Sequence, residues 1–315
     1  MIIEAITSFL DTTSLDWPSL IGLAAIIFIG LPHGAFDGAV AVALGWAKQP
    51  WMMLAFIIGY VGIAAIVVAF WLSFPVIALL AFLGISMIHF GLGDVIRGKS
   101  IDTLVQMIAH GGMVIAGISL FHKAAVDVIY GYLAGDETAI IWTFLEQASI
   151  VIGLTICIYL AMAIARPALR PRLFEIVCLG FVFYMLPPLA GFAFYFCMVH
   201  TPRHLFRVWR QLGQQNFRHR SVLAMAAAFT GASWLAGGIA LWIMPQSMSV
   251  DTHLLRVIFI GLAALTVPHM LLVDGLFRRH QPSIAKMPQE NFQTSGAHFK
   301  LDSGQDNDPR GHNDA

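Results

Sequence analysis

Apolar runs separated by short clusters of charge and proline fill the chain from Trp17 to Phe277. A helix that crosses a bilayer needs about 20 predominantly apolar residues. Cutting the sequence at its charges and prolines leaves nine stretches of that kind: residues 17–46, 51–74, 75–93, 101–121, 139–165, 172–187, 188–209, 221–244 and 253–277. The sixth is short, so eight crossings is the alternative count. The pattern predicts an all-α, polytopic membrane protein of eight or nine transmembrane helices. A segment over 1–16 precedes the transmembrane domain of 17–278. From residue 279 to 315 the composition turns to Gln, Asn, Asp, Ser and Gly, the signature of a disordered tail.

Composition supports this reading. With 58% hydrophobic and 11% charged residues, the chain is too apolar for a soluble core. Eighteen basic residues balance eighteen acidic ones, which excludes a broad cationic surface for nucleic acid. Residues 1–17 carry Glu4, Asp11 and Asp16 and no Lys or Arg, so the cationic start of a cleavable signal is missing and the first span is expected to be retained. Cys157, Cys178 and Cys197 lie in apolar runs without C-x-x-C spacing, as packing residues rather than disulfide or zinc partners.

Basic residues decide the orientation, because cytoplasmic loops are enriched in them. Lys48, Arg97, Lys99, Arg166, Arg170, Arg210, Arg218, Arg220, Arg278 and Arg279 follow the odd-numbered spans, whereas the loops after even-numbered spans hold only Lys123. The expected topology places the N-terminus outside and the C-terminus in the cytoplasm.

Histidines follow the same frame. His200 and His204, four residues apart, share a helical face and can reach one metal ion. Pro202 between them should kink the helix at that point. His33, His89 and His269 lie on spans of the same direction, each 12 to 16 residues past the outer end. At ~1.5 Å per residue, all of these rings fall ~18–24 Å down. His110, on the fourth span, reaches a similar level from the other side. Unrelated packing histidines have no reason to share a depth, and ionisable groups inside a membrane are costly and usually functional. Asp37, four residues after His33, is placed to orient that imidazole from behind. Asp94 and Asp274, each five residues beyond a histidine, are turned about 140° away. Asp94 is expected to close its span near Arg97, and Arg203 to snorkel to the cytoplasmic interface. Prolines at or near the histidines on three of the four helices break the ladder and free backbone carbonyls, which implies a hollow at this level.

Imidazole suits iron, copper and zinc alike, so the residues alone leave the metal open. H-E-x-x-H is absent, which argues against a zinc protease. A haem-bearing membrane electron carrier is the alternative that the same histidines permit, and a transporter with broken helices is another, although no internal duplication accompanies the breaks.

Taken in order, Pro32-His33-Gly34 with Asp37, His89-Phe90-Gly91 with Asp94, His200-x-x-x-His204 and Pro268-His269-Met270 resemble the Brp/Blh family of membrane β-carotene 15,15'-dioxygenases. The resemblance covers about residues 19–277. It implies an oxidoreductase with 17–278 as its catalytic domain, multi-pass in the cell membrane of a prokaryote. It also implies Fe(II) held by His33, His89, His200 and His204, with Asp37 and His269 as candidates for the layer behind the ligands. The implied reaction uses O2 to split the central double bond of β-carotene into two molecules of all-trans-retinal, with a retinal-accepting rhodopsin as a possible recipient. An apolar polyene dissolved in membrane lipid would enter between helices, and Phe36, Met87, Phe90, Phe194, Tyr195, Phe196, Met198, Trp209 and Met270 are the expected lining.

Overall fold

This computed structural model describes residues 12–43, 45–46, 49–96, 100–213, 219–245 and 247–277, and among them no strand occurs. Helix α1 (Trp17–Ala25) runs through a π segment (Ile26–Gly30) and a 3₁₀ segment (Leu31–Phe36) into α2 (Asp37–Ala43). Next come α3 (Pro50–Ser73), α4 (Pro75–Asp94) and α5 (Ser100–Gly112), the last continued by a π segment (Met113–Gly117) and α6 (Ile118–Phe121). A short α7 (Lys123–Ala134) precedes α8 (Ala139–Ala165) and α9 (Arg170–Met185). The chain then enters α10 (Pro188–Phe194), a π segment (Tyr195–His200) and α11 (Thr201–Gly213). Helices α12 (His219–Ile243) and α13 (Val250–Met270) follow, with a terminal π segment (Leu271–Phe277).

Local chemistry starts these helices where expected. Pro50, Pro75 and Pro188 each stand at the first helical turn, where a missing N–H costs nothing. Asp16 and Ser249 cap α1 and α13 by accepting from the backbone N–H of Ser19 and Thr252. Asp251 also gathers Thr13 Oγ1, Ser14 Oγ and the Ser14 backbone N–H, which ties the entry of the first span to α13.

Among the described residues, seven helices are long and apolar enough to cross a membrane. Both of the remaining expected stretches are helical. Helix α9 is only 16 residues long, and the run through α10 and α11 carries His200, Thr201, Arg203 and His204 in its middle. The outer surface is that of a helical multi-pass membrane protein: Leu54, Ile58, Val61 and Ile66 of α3 and Ile150, Leu154 and Ile164 of α8 are exposed. In water such faces would drive aggregation, whereas lipid solvates them. Cys157 and Cys178 are exposed, Cys197 is buried, and all three are unbridged. The tail from 279 onward and most of segment 1–16 lie outside the described residues.

Helices α4 and α5 cross at backbone contact. A Cβ on Gly91 would stand 2.2 Å from the Met107 carbonyl oxygen, and one on Gly111 1.9 Å from that of Met87. Only glycine permits this approach, which brings His89 and His110 onto adjacent backbones. Beyond α6, helix α7 turns back across the ends of the neighbouring helices and stops at Gly135 with φ +84°. The carbonyls at its end are held by side chains from two other helices: Trp71 Nε1 donates to Leu133 O at 3.1 Å and Arg256 Nε to Tyr132 O at 2.7 Å.

Candidate metal centre

Each proline that adjoins a histidine marks a change of helix type. The π segment Ile26–Gly30 and the 3₁₀ segment around Pro32 precede α2; the π segment Tyr195–His200 ends two residues before Pro202; and Pro268 is followed by the π segment at Leu271. Such single-turn departures re-aim side chains at functional sites. The expected breaks are therefore present, and they act by changing helical pitch.

Four imidazoles converge at this level. Ring centroids of His89 and His200 are 4.9 Å apart, of His89 and His269 5.3 Å, of His204 and His269 4.9 Å, and of His200 and His204 6.3 Å. All four side chains are at most 6% exposed. The shared depth read from the sequence thus corresponds to a shared site. The His33 side chain lies outside the described residues; its backbone stands in the 3₁₀ segment, which packs against α11, α12 and α13.

The donor set fits a metal ion. A metal–nitrogen bond of ~2.1 Å puts a ring centroid about 3.2 Å from the ion, so ligands at right angles have centroids about 4.6 Å apart and opposed ones about 6.5 Å. The four observed separations span that interval. The donors are borderline nitrogen atoms with no thiolate among them, which is compatible with iron.

Asp37 reaches the ninth expected span: Oδ1 lies 2.8 Å from His269 Nδ1, and Oδ2 accepts from Tyr60 Oη at 2.8 Å. Residues 31–36, which precede it, are 3₁₀ rather than α-helical, and the His33 side chain, its expected partner, lies outside the described residues. Asp37 is fully buried. With Nδ1 turned to the carboxylate, His269 presents Nε2 to the other rings. Tyr60 carried no signal in the sequence, since a lone tyrosine in an apolar span reads as packing.

His110 belongs to a different group. Its Nε2 lies 3.2 Å from Glu175 Oε1 and its Nδ1 3.4 Å from Asp94 Oδ2. Arg203 does not snorkel away and Asp94 closes onto it: Arg203 Nη1 donates to Asp94 Oδ1 at 2.7 Å and to Glu175 Oε1, and Nη2 donates to Glu175 Oε2 at 2.8 Å. Tyr195 Oη adds a bond to Asp94 Oδ2 at 2.7 Å. Arg97, the partner expected for Asp94, lies outside the described residues. Asp94, His110 and Glu175 have the composition of a cation site, yet the Arg203 guanidinium already supplies the positive charge there. The same residue that separates His200 from His204 in sequence thus anchors their helix to α4 and α9.

Phe90 and Phe196 wall His200 at centroid distances of 4.9 and 5.9 Å. Beside His89 lies a small, mostly apolar hollow lined by Phe82, Ser86, His89, Phe90, Phe192, Phe196, Leu262 and Thr266. The expected lining included Phe90 and Phe196 but not Phe82, Phe192 or Leu262. Those three stand seven or eight residues before His89, His200 and His269, two turns along the histidine-bearing face, and that spacing was available in the sequence. Tyr195 serves the charged group instead, and Met198 is exposed.

A helical multi-pass membrane protein with a buried poly-imidazole centre beside an apolar hollow is the class that fold and site define. Residues 24–277 match the Beta-carotene 15,15'-dioxygenase family. The chain is 34% identical over 275 residues to the Beta-carotene 15,15'-dioxygenase of uncultured marine bacterium 66A03, covering 86% of this chain and 97% of that protein. It is 24% identical over 293 residues to the Probable beta-carotene 15,15'-dioxygenase Blh of Halobacterium salinarum, covering 81% and 83%. No solved structure matches. The chain belongs to the β-carotene 15,15'-dioxygenase family.

Proposed function

We propose that this protein splits the central double bond of β-carotene with O2, one oxygen atom going to each carbon, to release two molecules of all-trans-retinal. The observation that carries the reading is the convergence of four buried imidazoles from three helices beside an apolar hollow, in a chain of this family. His89, His200, His204 and His269 would hold Fe(II) with His33, the further ligand that the family resemblance implies. A bound Fe(II) supplies the electrons through which O2 can react with a hydrocarbon that offers no acidic proton and no leaving group.

The chain's own groups set the conditions for that chemistry. Neutral imidazoles leave the ion its full charge. Asp37 fixes the Nδ1–H tautomer of His269 and raises the basicity of Nε2. Phe90, Phe196 and Phe192 exclude water and offer ring faces to the polyene. The distribution of Lys and Arg supports a plasma-membrane orientation with the N-terminus outside, and retinal released into the bilayer suits a rhodopsin as acceptor.

Expression in cells that accumulate β-carotene tests the reading. Loss of pigment with stoichiometric retinal is expected. A purified protein with a Soret band that shifts on reduction would favour the haem carrier instead.

A further inference from the structure

A second, larger cavity lies beyond the hollow at the histidines. It lies between α4, the α5–α6 run, α7, α10 and α13 and is partly open to the outside, with about 580 Å³ of space counted to its mouth. Phe82, Ser86 and Phe192 line both spaces, so the two meet at these residues. Three helices step from one to the other in the same register. On α4 the order is His89, Ser86, Phe82, Leu79; on the run into α10 it is His200, Phe196, Phe192, Leu189; on α13 it is His269, Thr266, Leu262, Phe259. Leu79, Leu189 and Phe259 stand 10 or 11 residues from their histidines, which at ~1.5 Å per residue is about 15 Å.

Helix α7 lies along the far end, where its Val126, Ile129, Tyr130 and Leu133 form one helical face against the cavity. This floor is fixed in place by the bonds from Trp71 and Arg256 to its last carbonyls. Its polar atoms are turned to each other. Ser119 Oγ donates to Ile115 O at 2.7 Å, so the Tyr130 hydroxyl is the donor in its 2.8 Å contact with Ser119 Oγ. Burial pushes the Tyr130 phenol up to about 12, which keeps that proton in place. The surface left to a ligand is hydrocarbon.

We propose that this cavity seats one cyclic, unsubstituted end of the carotenoid, and that its depth from the histidines selects the central double bond for cleavage. The inference rests on the carotene-cleaving reading above. A ring and its polyene arm, as far as the centre of the molecule, have a length of the same order as the distance from the floor to the imidazoles. Ser86, Phe82 and Phe192 then stand where the conjugated chain runs from the wider cavity, which takes the ring, to the metal centre. Because the floor does not yield, the ring stops at one depth, and the bond that meets the metal centre is set by that stop.

The test changes the floor without touching the histidines or their neighbours. Full-length Ile129→Phe and Ile129→Ala, purified with iron and judged folded by melting in detergent, are given β-carotene and a carotene with one ring and one open end. On the one-ringed carotene, Ile129→Phe raises the stop and should give a ring-bearing fragment shorter than retinal, and Ile129→Ala lowers it and should give a longer one; on β-carotene each variant should give one shorter and one longer fragment in excess of retinal. Val126→Leu, a milder filling, replaces Ile129→Phe if that variant does not fold. Iron-loaded variants that make only retinal, at any rate, overturn the proposal. A wild type that makes no retinal overturns the functional reading instead.

Discussion

His269 Nδ1 and Asp37 Oδ1, 232 residues apart in sequence, lie 2.8 Å apart with both side chains almost fully shielded. Tyr60 holds the other carboxylate oxygen, so Asp37 is fixed from two sides. A buried carboxylate on one ring nitrogen is how metal-binding histidines are oriented, and losing such a partner costs about 10–100-fold in affinity or activity. Asp37→Ala should therefore release iron to a chelator about 10–100-fold more readily than wild type. Asp37→Asn, which can still accept from Nδ1–H, should fall between the two. Chelator competition followed by iron analysis checks both.

His269 is not set apart from the expected ligands by its position, since its ring touches those of both His89 and His204. His269→Ala and His204→Ala are both expected to purify with little iron. His110→Ala should retain iron and appreciable turnover, because that ring serves Glu175 and Asp94. Iron per folded chain across the three variants is the measurement.

Arg203 neutralises two carboxylates, one of them buried. Removing one partner of a buried pair costs roughly 3–5 kcal/mol, and the partial exposure of this guanidinium puts the expectation at the lower end. Arg203→Ala should lower the melting midpoint in detergent. Doubling it with Glu175→Gln should recover part of the loss, since one stranded charge is then removed.

Gly91 and Gly111 meet carbonyl oxygens of the facing helix, not flexible side chains. Adding a methyl group at either forces α4 and α5 apart. Overpacking of this kind costs typically 1–3 kcal/mol and occasionally more, and a backbone obstacle belongs at the upper end. Gly91→Ala should displace His89 and reduce iron content together with stability. Gly84→Ala on the same helix, where the added atom meets nothing, should leave both unchanged.

Much of the site was legible because a membrane makes polar residues conspicuous. Histidines at one depth in parallel spans predicted a common centre, and His89, His200, His204 and His269 meet there. The prolines marked the breaks. What the sequence did not disclose was the kind of break, a 3₁₀ turn at Leu31–Phe36, and the partner that Asp37 finds 232 residues away in His269. Arg203 was read as a snorkelling cation because its partners, Asp94 and Glu175, stand 109 and 28 residues away. The aromatic walls one step further, Phe82 and Phe192, were hidden among many other aromatics, although their seven- and eight-residue spacing from the histidines identified them. The polar residues that build the site also dilute the helix that carries them, so the stretch 188–209 is not among the seven apolar spans found in the described residues.

The central claim is that iron held by these histidines is what cleaves β-carotene, and metal replacement tests it most directly. Purified protein is stripped with a chelator under nitrogen, divided, and reloaded with Fe(II) or Zn(II); retinal formed from β-carotene in air is then measured against bound metal. The account predicts no retinal from the stripped or zinc-loaded protein, and recovery in proportion to Fe(II) up to about one ion per chain. Undiminished retinal formation after complete removal of iron would contradict it.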